Sequence, residues 1–329
     1  MKKVKFAIPK GHLGRPTLEI LSRAGYSISS QERTYRPSID DPQIDLKILR
    51  PQEIPTFVGE GMQDVGITGL DWVREAGADV DILLDLEYSR VRVVMAAPKT
   101  WENVSDLPSL LEERLGQSKR LRISTEYLNA TSEFIMSSEA YRQRFGDLEP
   151  TVVTPWWRKG ENPMVGIYLS FGATEAKPPE DADAIVEVVD TGTSLGQNDL
   201  KVIEEIIETS AVFIVNKEAL RDPWKREKIY DIMTLLRGAV DGAKKLHIFA
   251  NVRRSNLEEL LVRLPALKNP TISPLSDPEW LAINTVIDRE KFLEILPEIR
   301  SLCQGLVVYE PRQVLPLEEI ANDTGGEQG

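Results

Sequence analysis

The chain has 329 residues, enough for two or three domains with cores of their own. Its 40 lysines and arginines face 52 aspartates and glutamates, a formal charge of −12, so its surface repels phosphate backbones and anionic lipid, which excludes general nucleic-acid and membrane-surface binders. With 41% apolar and 28% charged residues it reads as a folded globular protein, and no run of about 18 apolar residues suggests a membrane span.

One cysteine, Cys303, cannot form an internal disulfide, and two histidines cannot build a His-rich metal site. The N-terminal apolar run is cut by Lys5 and ends at Pro9-Lys10, too short for a secretory signal. The expectation is a cytoplasmic protein.

Short apolar runs alternate with amphipathic stretches, the pattern of βαβ units. Residues 4–8 read as a strand, followed by a Gly/Pro turn and a helix ending at Gly25. Residues 45–49 are a strand, Pro51 opens a helix reaching Gly59 or Gly61, residues 64–68 are a strand and 69–75 helical. Two strands, 81–86 and 90–96, follow almost back to back.

From Pro98 the pattern restarts. Ser105-Asp106-Leu107-Pro108 opens a helix, 120–124 is a strand, and 131–145 one long helix. Strands follow at 151–154 and 184–189, with a helix expected at 164–171. Residues 201–216 hold β-branched runs that return to the first lobe. A charged helix over 217–245 leads to strand 247–252, helix 257–264, strands 271–275 and 280–287, helix 289–302 and strand 306–309. That order, βαββαβ, is ferredoxin-like.

The fold class is therefore α/β. Residues 1–90 with 198–222 form a discontinuous lobe I, 91–197 form lobe II, 223–317 a connector helix and third domain, and 318–329 a disordered tail.

The strongest local signal is a strand running through Glu187 into Asp190-Thr191-Gly192-Thr193-Ser194-Leu195. Small hydroxyl residues around a glycine, at the start of a helix, offer side-chain and backbone donors to one phosphate monoester. Glu187 or Asp190 can accept from sugar hydroxyls, which suits a ribose 5-phosphate; the plainer reading is a capped turn. Lys10 and Arg15 flank Gly11 and Gly14 after the first strand and suit a pyrophosphate or triphosphate, or else form a solvated turn. Asp71 stands at the carboxyl end of a strand, where ligands of open α/β sheets collect, or is a first-turn acid complementing its helix.

No G-x-x-x-x-G-K-[ST], H-E-x-x-H or C-x-x-C occurs, and Gly59-Glu60-Gly61 lacks the third glycine of a dinucleotide fingerprint. His247 reads as a core or interface residue. Trp156-Trp157 is an aromatic wall or a lobe contact.

Several pieces together carry a resemblance: Pro9-Lys10-Gly11, Leu49-Arg50-Pro51 with Ile54-Pro55, and Asp64-Val65-Gly66-Ile67-Thr68-Gly69-Leu70-Asp71. Further on come Arg122-Ile123-Ser124-Thr125, the 190–195 loop, Asn269-Pro270-Thr271-Ile272-Ser273-Pro274-Leu275 and Asp277-Pro278-Glu279-Trp280. In their order and spacing the chain resembles the long-form ATP phosphoribosyltransferase family, the first enzymes of histidine biosynthesis, from about Lys3 to Tyr309.

The resemblance implies two lobes like a type II periplasmic binding protein plus an ACT-like third domain. It implies phosphoribosyl transfer from phosphoribosyl pyrophosphate to N1 of ATP, Mg²⁺ dependence, feedback inhibition by histidine, and homo-oligomers from dimer to hexamer. Carried onto this sequence, residues 190–195 hold the 5-phosphate and Glu187 or Asp190 the ribose. Lys10, Gly11, Arg15 and Arg50 meet polyphosphate, with Lys10 among the catalytic residues, and Asp71 and Glu175 direct Mg²⁺. Thr271, Ser273, Leu275 and Asp277 mark the histidine site. Lys177-Pro178-Pro179-Glu180-Asp181 departs from the family, where many relatives carry an apolar residue followed by glycine. Two other readings stay open: a ligand-binding sensor without chemistry, and a phosphoribosyltransferase acting on a free base.

Overall fold

The computed structural model describes residues 2–29, 34–264 and 270–315; Asn269 and the expected tail at 318–329 lie outside the described residues. Its topology is α/β, with three main sheets. A five-stranded sheet has the order Ile44–Leu49, Val4–Pro9, Val65–Gly69, Ala211–Asn216, Val80–Asp85. The chain divides into two compact units, one of Ala7–Leu13 and Leu49–Lys217, the other of Met1–Phe6, Gly14–Ile48 and the chain from Glu218 on.

The first of these units holds a seven-stranded sheet. Its order is Arg158–Lys159, Pro150–Val153, Asn162–Leu169, Leu121–Thr125, Ala184–Val189, Val91–Pro98, Leu200–Thr209. The four strands from Pro150–Val153 to Ala184–Val189 are mutually parallel. Their carboxyl ends therefore share one edge, where an open α/β sheet binds its ligands. Helices Leu107–Leu115, Leu128–Ser137 and Glu139–Phe145 cover the sheet through Leu110, Leu111, Ile135 and Tyr141, packed with Val93, Met95, Leu121, Ile123, Val165 and Val186. Each such side chain contributes roughly 1.5–3 kcal/mol of burial. Asp106 caps the first of these helices by accepting from the Ser109 amide at 2.8 Å, in a reciprocal capping box.

The second unit contains helices Gly14–Arg23 and Pro223–Ala243. Asp222 caps the longer one by accepting from the amides of Trp224 and Lys225. Ile229, Ile232, Leu236, Ala239 and Val240 form its buried stripe, the spacing of a single helical face. Beyond it lies a four-stranded antiparallel sheet ordered Thr271–Pro274, Trp280–Asp288, Lys245–Arg253, Cys303–Tyr309, with helices Leu257–Arg263 and Phe292–Leu302. This is the expected βαββαβ module. Strand Lys245–Arg253 alternates strictly, burying Leu246, Ile248, Ala250 and Val252.

Three expectations are corrected. Residues 164–171 are not helical: Asn162–Leu169 is a strand with parallel neighbours on both sides, so its buried run carries no alternation to read. The helix expected at 131–145 breaks at Ser138, whose extended backbone caps Glu139–Phe145. The stretch 201–216 does not return to the first lobe as a whole. Leu200–Thr209 is the edge strand of the seven-stranded sheet, with Glu204, Glu205 and Glu208 along it, and only the wholly buried Ala211–Asn216 joins the five-stranded sheet. His247, read as a core or interface residue, is half-buried; its ring bonds Asn284 and lies 4.5 Å from that of Phe249.

Candidate active site

Asp71 is placed by a tight strand-to-helix turn. Strand Val65–Gly69 is buried throughout, and helix Leu70–Ala76 starts directly after it. A side chain at Gly69 would strike the Asp71 carboxylate, so the turn needs glycine for close approach. Asp71 is only 5% exposed. Its Oδ1 accepts from the Thr209 hydroxyl at 2.9 Å and its Oδ2 from the Tyr127 phenol at 2.7 Å. The Thr209 hydroxyl in turn accepts the Asp71 amide at 3.0 Å. Burial, and after it the Asp71 charge, push the Tyr127 phenol far above its ordinary range, so it stays a donor. Each oxygen of the Asp71 carboxylate thus accepts from a protein hydroxyl.

The same helix is fastened to its neighbour. Trp72 stacks on Tyr127 with centroids 4.6 Å apart, and Glu75 accepts from the amides of Asn129 and Ala130 at the start of Leu128–Ser137. Burial raises the Glu75 carboxyl.

A second cluster occupies the carboxyl ends of the parallel strands. After Asn162–Leu169 the backbone turns through Gly172 and Ala173, both in the left-handed region, into a short 3₁₀ turn, Thr174–Ala176. That turn carries Glu175, which is half-buried. The Lys177 ammonium donates to Ser124 Oγ at 3.0 Å and to Ser170 Oγ at 2.5 Å. Ser170 Oγ lies 3.0 Å from Thr174 Oγ1. Burial raises the Glu187 carboxyl, opposed by its bonds to the Val188 amide and Thr174, while Glu175 and Glu126 raise it further.

The departing segment 177–183 is secured by Asp183, which is wholly buried. Asp183 accepts from the Arg122 amide and guanidinium and pairs with Arg114 at 3.0 Å. Arg122 also donates to the carbonyls of Pro179 and Glu180.

The hydroxyl loop follows strand Ala184–Val189. Gly192, at φ +78°, takes the left-handed conformation that starts the short helix Thr193–Gln197. Asp190, Thr191, Thr193 and Ser194 are exposed, Leu195 is buried as the anchor, and the hydroxyls of Thr191 and Thr193 lie 2.9 Å apart. Beside the loop is a cavity of about 570 Å³ lined by His12, Ser89, Arg90, Val91, Val188 and Asp190. His12, in the turn after the first strand, and Asp190, which opens the hydroxyl loop, thus line one cavity.

Lys10 is half-buried just past strand Val4–Pro9, its amide bonded to the Leu49 carbonyl, and Gly11 is left-handed and exposed. Arg50 is exposed. Arg15 pairs with Glu19 at 2.9 Å, both exposed. Thr271 and Ser273 are exposed on the edge strand Thr271–Pro274; the Leu275 amide reaches the Trp280 carbonyl, and Asp277 accepts from the Glu279 amide. Trp156 is exposed and meets Phe171 edge to face at 6.0 Å.

A family model described as ATP phosphoribosyltransferase matches residues 50–238, and one described as HisG, C-terminal domain, matches residues 243–311. A protein of Solibacter usitatus named ATP phosphoribosyltransferase is 37% identical over 320 residues, covering 95% of this chain and 99% of its own. One of the same name from Thermodesulfovibrio yellowstonii is also 37% identical, covering 96% and 99%. The chain belongs to the ATP phosphoribosyltransferase family. It is accordingly a pentosyl transferase of the first step of histidine biosynthesis. A solved structure of an ATP phosphoribosyl transferase (HisG:HisZ) complex from Thermotoga maritima shares the fold, with TM-score 0.53 and 23% identity over 71% of this chain and 95% of that one.

Sequence reasoning missed four features of this family member's candidate site: Tyr127, Thr209, Arg90 and the partners of Lys177. Tyr127 and Thr209 stand 56 and 138 positions from Asp71, with no local motif around either. Lys177 left a signal, because it lies in the segment that departs from the family pattern.

Proposed function

We propose that this chain joins the ribose of phosphoribosyl pyrophosphate to N1 of the adenine of ATP, releasing pyrophosphate. The observation that carries the reading is one cavity lined both by His12, in the turn after the first strand, and by Asp190, at the start of the exposed hydroxyl loop. Thr191, Thr193 and Ser194, with the amides of the 190–195 turn, hold the 5-phosphate, and Leu195 fixes the loop to the core. Glu187 and Asp190 accept from ribose hydroxyls. Lys10, Gly11, Arg15 and Arg50 serve the polyphosphate chains.

The adenine N1 lone pair forms a bond to the anomeric carbon as the bond from that carbon to the pyrophosphate oxygen breaks, and the electron pair leaves with pyrophosphate. N1 is a weak nucleophile, so the residues act by positioning and by charge, without a covalent intermediate.

Among the described residues no group of three or more His, Cys, Asp or Glu can hold a metal ion. Mg²⁺ asks for less, one or two carboxylates with substrate phosphates and water. Glu187, raised by burial with Glu175 and Glu126 beside it, is the kind of crowded acidic edge that a divalent cation relieves. Glu175 and Glu187 would hold the ion, with Asp71 acting behind them through Tyr127. When bound, Mg²⁺ neutralises charge on the departing pyrophosphate.

Further parts of the proposal are three domains close to the boundaries expected from sequence, with Leu200–Thr209 reassigned to lobe II, histidine inhibition at the edge strand carrying Thr271 and Ser273, and assembly of dimers into hexamers. A cytoplasmic location fits an acidic biosynthetic enzyme; among the described residues no helix is long and apolar enough to cross a membrane.

The test is to mix the protein with ATP, Mg²⁺ and phosphoribosyl pyrophosphate, add a pyrophosphatase, and follow the ultraviolet change of N1-substituted adenine. Replacing ATP by adenine and other free bases separates this reaction from free-base transfer. No product with ATP would refute the proposal.

A further inference from the structure

We propose that Lys177 grips the diphosphate carried in by the sugar substrate and shed as product, a contact that rests on the phosphoribosyl-transfer reading above. An ammonium has three donors. Two of them go to hydroxyls, Ser124 Oγ and Ser170 Oγ, which are nearly fully buried at 3% and 1% exposed. Among the described residues Lys177 forms no ion pair. A half-buried cation whose two hydrogen-bond partners are neutral hydroxyls keeps a donor for an arriving anion, which would form a charge-assisted bond to it.

The place is right for a substrate. Ser124 lies at the end of strand Leu121–Thr125 and Ser170 just past Asn162–Leu169, so the ammonium is moored at the carboxyl ends of two adjacent parallel strands. The mooring fixes its position: Ser170 is itself held by Thr174 and the Gly172 carbonyl. The same row of hydroxyls continues to Thr174, on the 3₁₀ turn that follows Ser170 and carries Glu175. The 5-phosphate already has its own donors in the 190–195 loop on the neighbouring strand. Glu175, two residues before Lys177, places the cation-binding side of the reaction here as well, and that side belongs to the diphosphate.

The experiment titrates inorganic pyrophosphate, with Mg²⁺, into the full chain by calorimetry, comparing wild type with Lys177→Met and Lys177→Arg. Losing one charge-assisted contact should weaken pyrophosphate binding about 30-fold in Lys177→Met, with most of it restored in Lys177→Arg. The KM for phosphoribosyl pyrophosphate should rise in step while that for ATP stays within about twofold. A double variant, Ser124→Ala with Ser170→Ala, keeps the charge and loosens its mooring, and should weaken pyrophosphate by about fivefold even if Lys177→Met does not fold. Unchanged pyrophosphate binding in these folded variants, or a loss confined to ATP, would overturn the contact. A wild-type chain that makes no phosphoribosyl-ATP, yet depends on Lys177 for pyrophosphate, would overturn the function and leave the contact standing.

Discussion

Replacing Tyr127 by phenylalanine deletes one oxygen and little else. The ring, 2% exposed, keeps its stacking on Trp72 at 4.6 Å, so packing is nearly conserved. What disappears is the donor to Asp71 Oδ2, on a carboxylate 5% exposed that water cannot reach as a substitute. A hydrogen bond to a charged group contributes about 1.5–3 kcal/mol, so the expected loss is about 2 kcal/mol, roughly 30-fold in the folding equilibrium. Urea unfolding of both proteins, read as a shift in midpoint at constant slope, measures it. Thr209→Val should behave similarly, and because both hydroxyls serve one carboxylate the double variant should deviate from additivity by at least about 0.5 kcal/mol. In an Asp71→Asn background, where the charge is gone, Tyr127→Phe should cost less. A change below about 0.5 kcal/mol in the wild-type background, or an equal cost in the Asp71→Asn background, would refute the reasoning.

Three further outcomes are expected. Asp183→Ala leaves the guanidinium groups of Arg122 and Arg114 without their buried partner and should cost about 3–5 kcal/mol, checked by denaturant unfolding. Asp106→Ala removes a helix cap and should cost about 1 kcal/mol. Because the Ser109 bonds hold the folded Asp106 carboxyl below its ordinary value of 3.8, that difference is fully present above about pH 4 and vanishes as pH falls through the folded pKa; melting temperatures of both proteins against pH test the sign. Thr191→Ala with Ser194→Ala should raise the KM for phosphoribosyl pyrophosphate at least about tenfold with the melting temperature unchanged, since both side chains are exposed; steady-state kinetics decide it.

The βαββαβ module is legible in the sequence because its strands alternate: Leu246, Ile248, Ala250 and Val252 inward, their neighbours outward. The cap at Asp106 and the glycine turn at 192 are legible because backbone geometry demands those residue types locally. Asn162–Leu169 reads wrongly as a helix because a strand with partners on both edges has no period-two signature, and a short buried run suits either element. Residues 200–216 read as one returning stretch because nothing in their composition marks Ser210 as the point where the chain changes sheets. In the candidate site, the loop at 190–195 and the acids at 71, 175 and 187 are visible as residue types. The hydroxyls that bind them are not, since Tyr127 and Thr209 meet Asp71 only through tertiary folding.

The change of sheets at Ser210 has a mechanical consequence. The chain makes the same passage earlier, between Val80–Asp85 and Val91–Pro98, and the two passages are stitched together: the Ser210 hydroxyl donates to Asp85 at 2.7 Å, and the amides of Leu86 and Ala211 bond the carbonyls of Ala211 and Tyr88. Thr209, which grips Asp71, is the residue next to this seam. The crossings therefore form a paired ribbon that bends as one strap, not two independent swivels, and its flexure is felt at once by the buried aspartate beside it.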